Sequence, residues 1–95
     1  NEQEHSSICD AIITPEPGKL TFPINLQNLK NGLVVRDDEV KNSIKFFAEH
    51  LKIIIEPGGA VAATAALTKK IDLKNKNVVV MISGGNIDLD MFANL

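Results

Sequence analysis

The apolar run Val-Val-Val-Met-Ile at residues 78–82, followed by Ser-Gly-Gly-Asn at 83–86, constrains the fold more than any other part of the chain. A run made almost entirely of β-branched residues is typical of a strand buried on both faces. Two glycines soon after it indicate a tight loop at the carboxyl end of that strand. Ligands of open α/β sheets bind beyond such ends, so the sequence predicts that Ser83 lies close to a ligand.

Residues 38–51 show a second clear pattern. Apolar side chains recur there at helical spacing on one face, while lysine, asparagine and glutamate occupy the other, which predicts an amphipathic helix. Asp37 is the expected N-cap of this helix, because its carboxylate can accept hydrogen bonds from the free N–H groups of the first turn.

The other predicted elements complete an alternation of strands and helices. Small side chains throughout 60–67, after a break at Glu-Pro-Gly-Gly (56–59), predict a buried helix. Residues 20–24 are expected to be extended. The predicted strands are 33–35, 53–55 and 77–82, and the predicted helices are 27–31, 38–51, 60–67 and 87–95. The fold class is therefore α/β, with parallel strands and flanking helices.

Composition limits the range of functions. The chain has 95 residues, enough for one small domain, and its net charge of −2 argues against a nucleic-acid-binding protein, which would carry a basic patch. No apolar run is long enough to span a bilayer, and no signal-peptide pattern is present. Cys9 is the single cysteine, which excludes an internal disulfide and fits a reducing, cytoplasmic location.

Ser83 has no evident partner for nucleophilic catalysis. A serine nucleophile needs a base within hydrogen-bonding reach, and the two histidines, His5 and His50, belong to no matching motif. His50 lies near the end of the predicted amphipathic helix, where an imidazole that faces the last carbonyl groups is a capping residue.

Glu56 has two interpretations. It follows three isoleucines and precedes Pro57, so its carboxylate is expected at the end of a buried strand. The carboxylate either caps the helix that follows or faces a cleft shared with Ser83, because both residues end strands of one predicted sheet.

The remaining polar candidates predict no chemistry of their own. The carboxylates at 37–39 point in different directions at the start of a helix, where the helix dipole explains them better than a metal ion does. Cys9 lies in a short apolar stretch and is expected to be a small buried hydrophobe.

Several segments, in this order along the chain, resemble the C-terminal part of fold-type II pyridoxal-phosphate enzymes of the threonine/serine dehydratase (threonine ammonia-lyase) and serine racemase family. Together these ordered motifs are more specific than any one of them alone. The matching segments are Ser-Ile-Cys-Asp-Ala at 7–11, Pro-Gly-Lys-Leu-Thr-Phe-Pro-Ile at 17–24, Leu-Val-Val-Arg-Asp-Asp-Glu-Val at 33–40, Leu-Lys-Ile-Ile-Ile-Glu-Pro-Gly-Gly-Ala-Val-Ala at 51–62 and Val-Val-Val-Met-Ile-Ser-Gly-Gly-Asn-Ile-Asp at 78–88.

The resemblance implies that residues 1–95 form a single C-terminal segment of the catalytic domain, roughly the last third of a parent enzyme with the tryptophan synthase β-like fold. The parent would be a lyase that deaminates L-threonine or L-serine by β-elimination, giving 2-oxobutanoate or pyruvate and ammonia. Two alternatives stay open. One is a serine racemase-like enzyme or another hydroxy-amino-acid lyase, and the other is a small non-catalytic α/β assembly module.

The resemblance also assigns residues to the cofactor, pyridoxal 5′-phosphate. The hydroxyl of Ser83 would hydrogen-bond the pyridine nitrogen, and Glu56 would lie close to the cofactor ring. The backbone of Ala11 would approach the cofactor, and Gly84 would shape the loop behind Ser83. A neutral hydroxyl makes the ring a weaker electron sink than a carboxylate partner would, which suits β-elimination.

The motif that contains the family's Schiff-base lysine is absent from these residues, so the resemblance implies no catalytic residue here, and it implies no metal ligand. We therefore expect the isolated chain to be inactive and to bind no pyridoxal phosphate by itself. Its expected partners are the remainder of the catalytic domain, an amino-acid substrate and further copies in a homo-oligomer, with no nucleic acid and no membrane. The lysines in the wrong context for that role are Lys19, Lys30, Lys41, Lys45 and Lys52.

Overall fold

The structure, a computed structural model, describes residues 6–95, so His5 lies outside the described residues. The described part consists of helices joined by long irregular segments. A 3₁₀ turn spans Asp10–Ile12, and the α-helices are α1 (Thr21–Asn28), α2 (Asp37–Phe46), α3 (Pro57–Leu67) and α4 (Leu89–Ala93), with a π-helical turn at Phe47–Leu51 that continues α2.

Helix α2 and the turn that continues it confirm the predicted amphipathic helix. Arg36 is the N-cap, and the carboxylate of Glu39 accepts a hydrogen bond from the Arg36 N–H at 2.8 Å. The prediction that Asp37 is the N-cap is wrong, because Asp37 is already the first helical residue and its carboxylate contacts a different segment of the chain. Glu39 thus supplies the hydrogen bond at the start of α2, as in one half of a capping box.

The π-helical turn ends at Lys52, which has the left-handed conformation (φ 58°) common at helix C-termini. The Nδ1 atom of His50 lies 3.0 Å from the carbonyl oxygen of Phe46, and the two rings stack with centroids 4.4 Å apart. The prediction of His50 as a residue that faces the last carbonyl groups is confirmed.

Helix α3 begins earlier than the sequence predicts. Pro57 is its first residue, where the missing N–H is not needed and the fixed φ suits the helix. Gly58 and Gly59 follow inside the first turn, so the expectation of a break at 56–59 is wrong for these positions. The glycines have ordinary negative φ values, so backbone conformation does not require them. At position 59, close packing against a neighbouring segment leaves no room for a side chain.

The core lies where α2 packs on α3. The buried side of α3 consists of small residues, three of them alanine, and this confirms the predicted buried helix of small residues. The buried residues at the centre are Cys9, Val40, Ile44, Ile55 and Ala60.

No strand is present among residues 6–95, so the parallel strands predicted at 33–35, 53–55 and 77–82 are not confirmed. A strand is defined by a ladder of hydrogen bonds to a partner strand. Among the described residues, no backbone hydrogen bond joins the run at 53–55 to the run at 77–82. Just beyond the ends of both runs, the Glu56 N–H donates to the Gly84 carbonyl oxygen at 3.1 Å. β-Branched composition alone does not create a ladder.

Two other predictions need correction. Residues 20–24 are not extended, because α1 runs from Thr21 to Asn28 and accepts Pro23 in its first turn, where a backbone N–H has no helical partner. The expected helix at 27–31 is therefore displaced towards the N-terminus. The last helix is shorter than expected and begins after Asp88, whose carboxylate accepts a hydrogen bond from the Met91 N–H at 2.9 Å. None of the helices formed by residues 6–95 has the length and apolar character that crossing a membrane requires.

Candidate functional site

Glu56 and Gly84 are in direct contact, although 28 residues separate them in the sequence. A Cβ atom placed on Gly84 would lie 2.7 Å from Oε1 and 2.9 Å from Cδ of Glu56. The Glu56 carboxylate is held by Asn86, whose backbone N–H donates to Oε2 at 3.2 Å. A side chain at position 84 would therefore displace this carboxylate, the far end of a flexible side chain, from the place that it occupies here.

The Glu56 carboxylate does not cap α3. Glu56 occupies the N-cap position, yet its side chain makes no capping hydrogen bond. Glu56 is half-buried, its carboxylate faces the loop at 84–86, and the residue lines a cavity of about 320 Å³. Ser83 is not among the residues that line this cavity. They are Ser7, Ile8, Asp10, Glu56, Pro57, Asn86, Ile87, Asp88 and Met91.

Two further glycines bring the loop close to backbone on both sides. A Cβ atom on Gly59 would lie 2.8 Å from the carbonyl oxygen and 3.1 Å from the nitrogen of Gly84. A Cβ atom on Gly85 would lie 2.6 Å from the carbonyl oxygen of Ile54. Real Cβ atoms essentially never approach other atoms within 3.0 Å, so the two carbonyl contacts show that the glycine-rich loop rests directly on the start of α3 and on the run at 53–55.

Ser83 sits immediately before this anchored loop and is exposed. Its hydroxyl makes no hydrogen bond to any residue in the range 6–95. A free hydroxyl on a fixed backbone is a neutral group that can either donate or accept one hydrogen bond to a ligand.

Ala11 lies over the start of α3. It belongs to the 3₁₀ turn, and its Cβ would be 3.5 Å from a Cβ atom placed on Gly58. Three of the four residues that the sequence assigns to one site (Ala11, Glu56 and Gly84) are thus gathered around the first turn of α3. Ser83, the fourth, is the chain neighbour of Gly84.

Sequence reasoning missed two contributors to this arrangement. Gly59 was not assigned to the site, although a glycine pair after each of two apolar runs (58–59 and 84–85) is a visible signal of close backbone approach. Asp37, which holds the segment before Ala11, carries no local signal, because its partners lie about 30 residues away in the sequence.

The described residues contain no group of three or more histidine, cysteine, aspartate or glutamate side chains suited to a metal ion. Cys9 is buried, as expected, and this burial raises the pKa of its thiol above the ordinary value.

A sequence model of the family described as "Pyridoxal-phosphate dependent enzyme" matches residues 1–84. The chain is 38% identical over 88 residues to the serine racemase of Schizosaccharomyces pombe, and the match covers 93% of this chain and 27% of that protein. It is also 38% identical over 85 residues to the L-threonine ammonia-lyase of Thermotoga maritima, covering 90% of this chain and 21% of that enzyme.

Among solved structures, the serine racemase from Dictyostelium discoideum superposes with a TM-score of 0.81 at 42% sequence identity. The superposition covers 92% of this chain and 29% of that one. The chain therefore spans about a quarter of the length of the relatives that it matches.

Proposed function

The chain belongs to the pyridoxal-phosphate dependent enzyme family, and we propose on this premise that it forms the C-terminal part of a threonine/serine dehydratase. Such an enzyme deaminates L-threonine or L-serine by β-elimination, and the products are 2-oxobutanoate or pyruvate and ammonia. A cytoplasmic location accords with its single, reduced cysteine.

The contact between Glu56 and the loop at 84–86 is the observation that carries this proposal. Both segments belong to motifs that resemble cofactor-binding segments of the family, and they lie against each other through the Glu56 N–H and the Asn86 N–H. Gly59 adds to this contact, because a Cβ atom there would lie 2.8 Å from the backbone carbonyl oxygen of Gly84.

The residues present fit one edge of a pyridoxal phosphate site. In our proposal the Ser83 hydroxyl accepts or donates the hydrogen bond at the pyridine nitrogen, because it is exposed and makes no hydrogen bond within the described residues. Glu56 lines the site near the ring, and Ala11 presents backbone to the cofactor. Gly84 leaves room for the Glu56 carboxylate.

Pyridoxal phosphate, when bound, withdraws electrons from the amino acid attached to it and so weakens the bonds at the α-carbon. The contribution of Ser83 is to meet the ring nitrogen with a neutral group rather than a carboxylate, which limits this electron withdrawal. Elimination of a β-hydroxyl group needs less stabilisation of negative charge on the ring than other reactions do, so the neutral partner suits a dehydratase.

We propose that this chain alone is inactive, because it contributes no lysine to the cofactor. The site around the first turn of α3 contains no lysine among its lining residues. Lys52, the lysine nearest in sequence to Glu56 on its N-terminal side, donates to the carbonyl oxygen of Glu49 at 2.6 Å.

The remainder of the catalytic domain is the proposed partner, and the surface of the chain supports this. Its accessible surface is 7784 Å², whereas a compact protein of this mass exposes about 5,400 Å². An apolar groove of about 380 Å³ runs along α3 and the run at 78–81, and Val79 in it is 89% exposed. Exposed apolar surface on this scale marks an interaction site. Association of complete enzymes into a homo-oligomer is a further part of the proposal.

The test combines the purified chain with an N-terminal segment that carries the family's cofactor lysine, taken from the Dictyostelium discoideum serine racemase. Pyridoxal phosphate is added, visible absorbance is followed, and 2-oxobutanoate formed from L-threonine is measured. We expect absorbance and product with both segments together and neither with this chain alone. Activity of this chain alone would overturn the proposal that it contributes no lysine to the cofactor. No absorbance with both segments together would favour a non-catalytic assembly module.

A serine racemase is the second candidate, favoured by the serine racemases among the relatives and solved structures. The same mixture separates the two reactions: D-serine formed from L-serine indicates racemisation, whereas pyruvate indicates elimination. A Ser83→Ala variant is compared with Ser6→Ala, which removes another exposed hydroxyl. We expect the first variant alone to lower the rate of elimination, by about tenfold.

A further inference from the structure

Both carboxylate oxygens of Asp37 are used by a segment far away in the sequence. Oδ1 accepts a hydrogen bond from the Ser7 hydroxyl at 2.7 Å, and Oδ2 accepts one from the Ile8 N–H at 3.1 Å. Ser7 Oγ also accepts the N–H of Cys9 at 3.1 Å. Residues 7–9 are therefore held to the start of α2 by three linked hydrogen bonds, two of them assisted by charge.

Helix α2 does not depend on the Asp37 side chain for its own cap. The hydrogen bond at its N-terminus is the one from the Arg36 N–H to Glu39. A carboxylate in the first turn is favoured there by the helix dipole, but these contacts direct Asp37 towards Ser7 rather than towards its own helix. Its hydrogen bonds thus serve the position of the N-terminal segment.

The segment that Asp37 holds leads directly to the candidate site. Cys9 is buried in the core, and its carbonyl oxygen accepts the Ile12 N–H at 3.0 Å to close the 3₁₀ turn. That turn packs against α3, and Ala11 and Ile12 lie next to Gly58 in its first turn, at 3.5 Å and 3.6 Å from the place where a Cβ atom of Gly58 would lie. The path from Asp37 to Ala11 is therefore continuous through hydrogen bonds and packed atoms.

We propose that Asp37 is a positioning residue, which fixes Ala11 at the edge of the pyridoxal phosphate site through Ser7 and Ile8. This inference rests on the proposed function and adds to it a residue that makes no contact with the cofactor. Without the carboxylate, Ser7 and the Ile8 N–H lose their acceptor, and the backbone at residues 8–12 gains freedom that cofactor binding must remove.

The test compares Asp37→Asn with Asp38→Asn, the same chemical change at the next residue, whose carboxylate pairs with Arg36 on the exposed side of the helix. Hydrogen–deuterium exchange of residues 8–12 is measured first on the full chain without cofactor. We expect exchange to rise in Asp37→Asn and to stay unchanged in Asp38→Asn. Equal exchange in the two variants would overturn the proposal.

The dissociation constant of pyridoxal phosphate is then measured for the complex with the lysine-carrying N-terminal segment. Asp37→Asn is expected to weaken binding by about tenfold, and Asp38→Asn to leave it unchanged. If the unsubstituted complex binds pyridoxal phosphate and the two variants have equal dissociation constants, this inference alone is overturned. No binding by the unsubstituted complex overturns the proposed function together with it.

Ser7 supplies a second test should Asp37→Asn fail to fold. Ser7→Ala removes the hydroxyl, whereas Ser7→Thr keeps it, so affinity is expected to fall with alanine and to return with threonine. Urea unfolding of both variants corrects for any loss of folded protein. Equal affinity of the alanine and threonine variants for pyridoxal phosphate would contradict a positioning role. A purely structural effect would depend on the stability of each variant and not on whether the hydroxyl is present.

Discussion

Gly59 in α3 lies against the backbone of Gly84: a Cβ atom at position 59 would come within 2.8 Å of the Gly84 carbonyl oxygen. Its neighbour Gly58 has room for a side chain, since a Cβ atom there would meet Ala11 and Ile12 at 3.5 Å and 3.6 Å. Two adjacent glycines in one helical turn thus differ in what surrounds them. The contact at Gly59 joins α3 to the loop that carries Ser83.

Alanine substitution at these two positions is expected to have opposite effects. Gly59→Ala forces α3 and the loop apart and should lower the free energy of unfolding by about 1–3 kcal/mol. Gly58→Ala reduces the entropy of the unfolded chain without a clash and should raise it by about 0.5–1 kcal/mol. Urea unfolding of the two variants checks this, and a stabilised Gly59→Ala would contradict the close contact.

Gly84→Ala is expected to act on the candidate site through Glu56. The new methyl group occupies the place of the Glu56 carboxylate, which must turn away and release the Asn86 N–H. We expect pyridoxal phosphate to bind the complex with the N-terminal segment about tenfold more weakly. The control is Gly32→Ala, where a Cβ atom meets nothing within 4 Å. Equal loss of affinity in both variants would show that the effect is not specific to Glu56.

Val79→Asp tests whether the apolar groove along α3 is covered by the rest of the enzyme. Val79 is exposed in this chain, so a charge there should leave the folding of the chain unchanged. In the complex the charge would be buried, and association with the N-terminal segment should weaken by at least about tenfold. Asn75→Asp adds the same charge at an exposed residue outside the groove. Calorimetric titration with the N-terminal segment measures the association of each variant. Unchanged association of Val79→Asp would mean that the N-terminal segment binds elsewhere on this chain.

Glu39 links α2 to the segment that follows α3 through a salt bridge with Lys70 at 2.8 Å, and its side chain is only 12% exposed. The hydrogen bond from Lys70, together with that from the Arg36 N–H, lowers the pKa of the Glu39 carboxyl below its ordinary value of 4.5. A lowered pKa means that the folded state favours the charged form. This stabilisation is present above the ordinary pKa and is lost as the pH falls through the folded value.

The Glu39→Gln variant is therefore expected to be less stable than the unsubstituted protein at neutral pH and to lose less stability on acidification. Glu49→Gln is the matched control, because Glu49 is exposed and forms no side-chain ion pair among the described residues. Thermal unfolding at several pH values below neutrality checks the prediction. Parallel pH profiles for Glu39→Gln and the unsubstituted protein would contradict it.

Cys9 is expected to react slowly with iodoacetamide while the protein is folded. Its side chain is 5% exposed, and burial raises the pKa of the thiol above its ordinary value of 9.0. Folded protein should react on the order of tenfold more slowly than urea-unfolded protein at the same pH. Because the folded state holds the thiol proton more tightly, stability should fall as the pH rises above that ordinary value, and Cys9→Ala should remove this alkaline loss.

The helices were predictable from the sequence to different degrees. The pattern at 38–51 predicted α2 and its continuation well, because helical periodicity with acidic residues at the start is a local signal. Pro23 and Pro57 misled the prediction, since both lie in the first turn of a helix, where proline is tolerated. The strands stay a prediction, because a ladder needs a partner strand and the apolar runs do not specify one.

The sequence by itself determined the family, through ordered motifs that also predict Ala11, Glu56, Ser83 and Gly84 as site residues. Only the tertiary structure decided that the Glu56 carboxylate faces the Asn86 N–H rather than its own helix. The same holds for Asp37, which binds Ser7 instead of capping α2. Each of these carboxylates has acceptable partners both nearby and about 30 residues away, and the packing of α3 against α2 and the glycine loop selects between them.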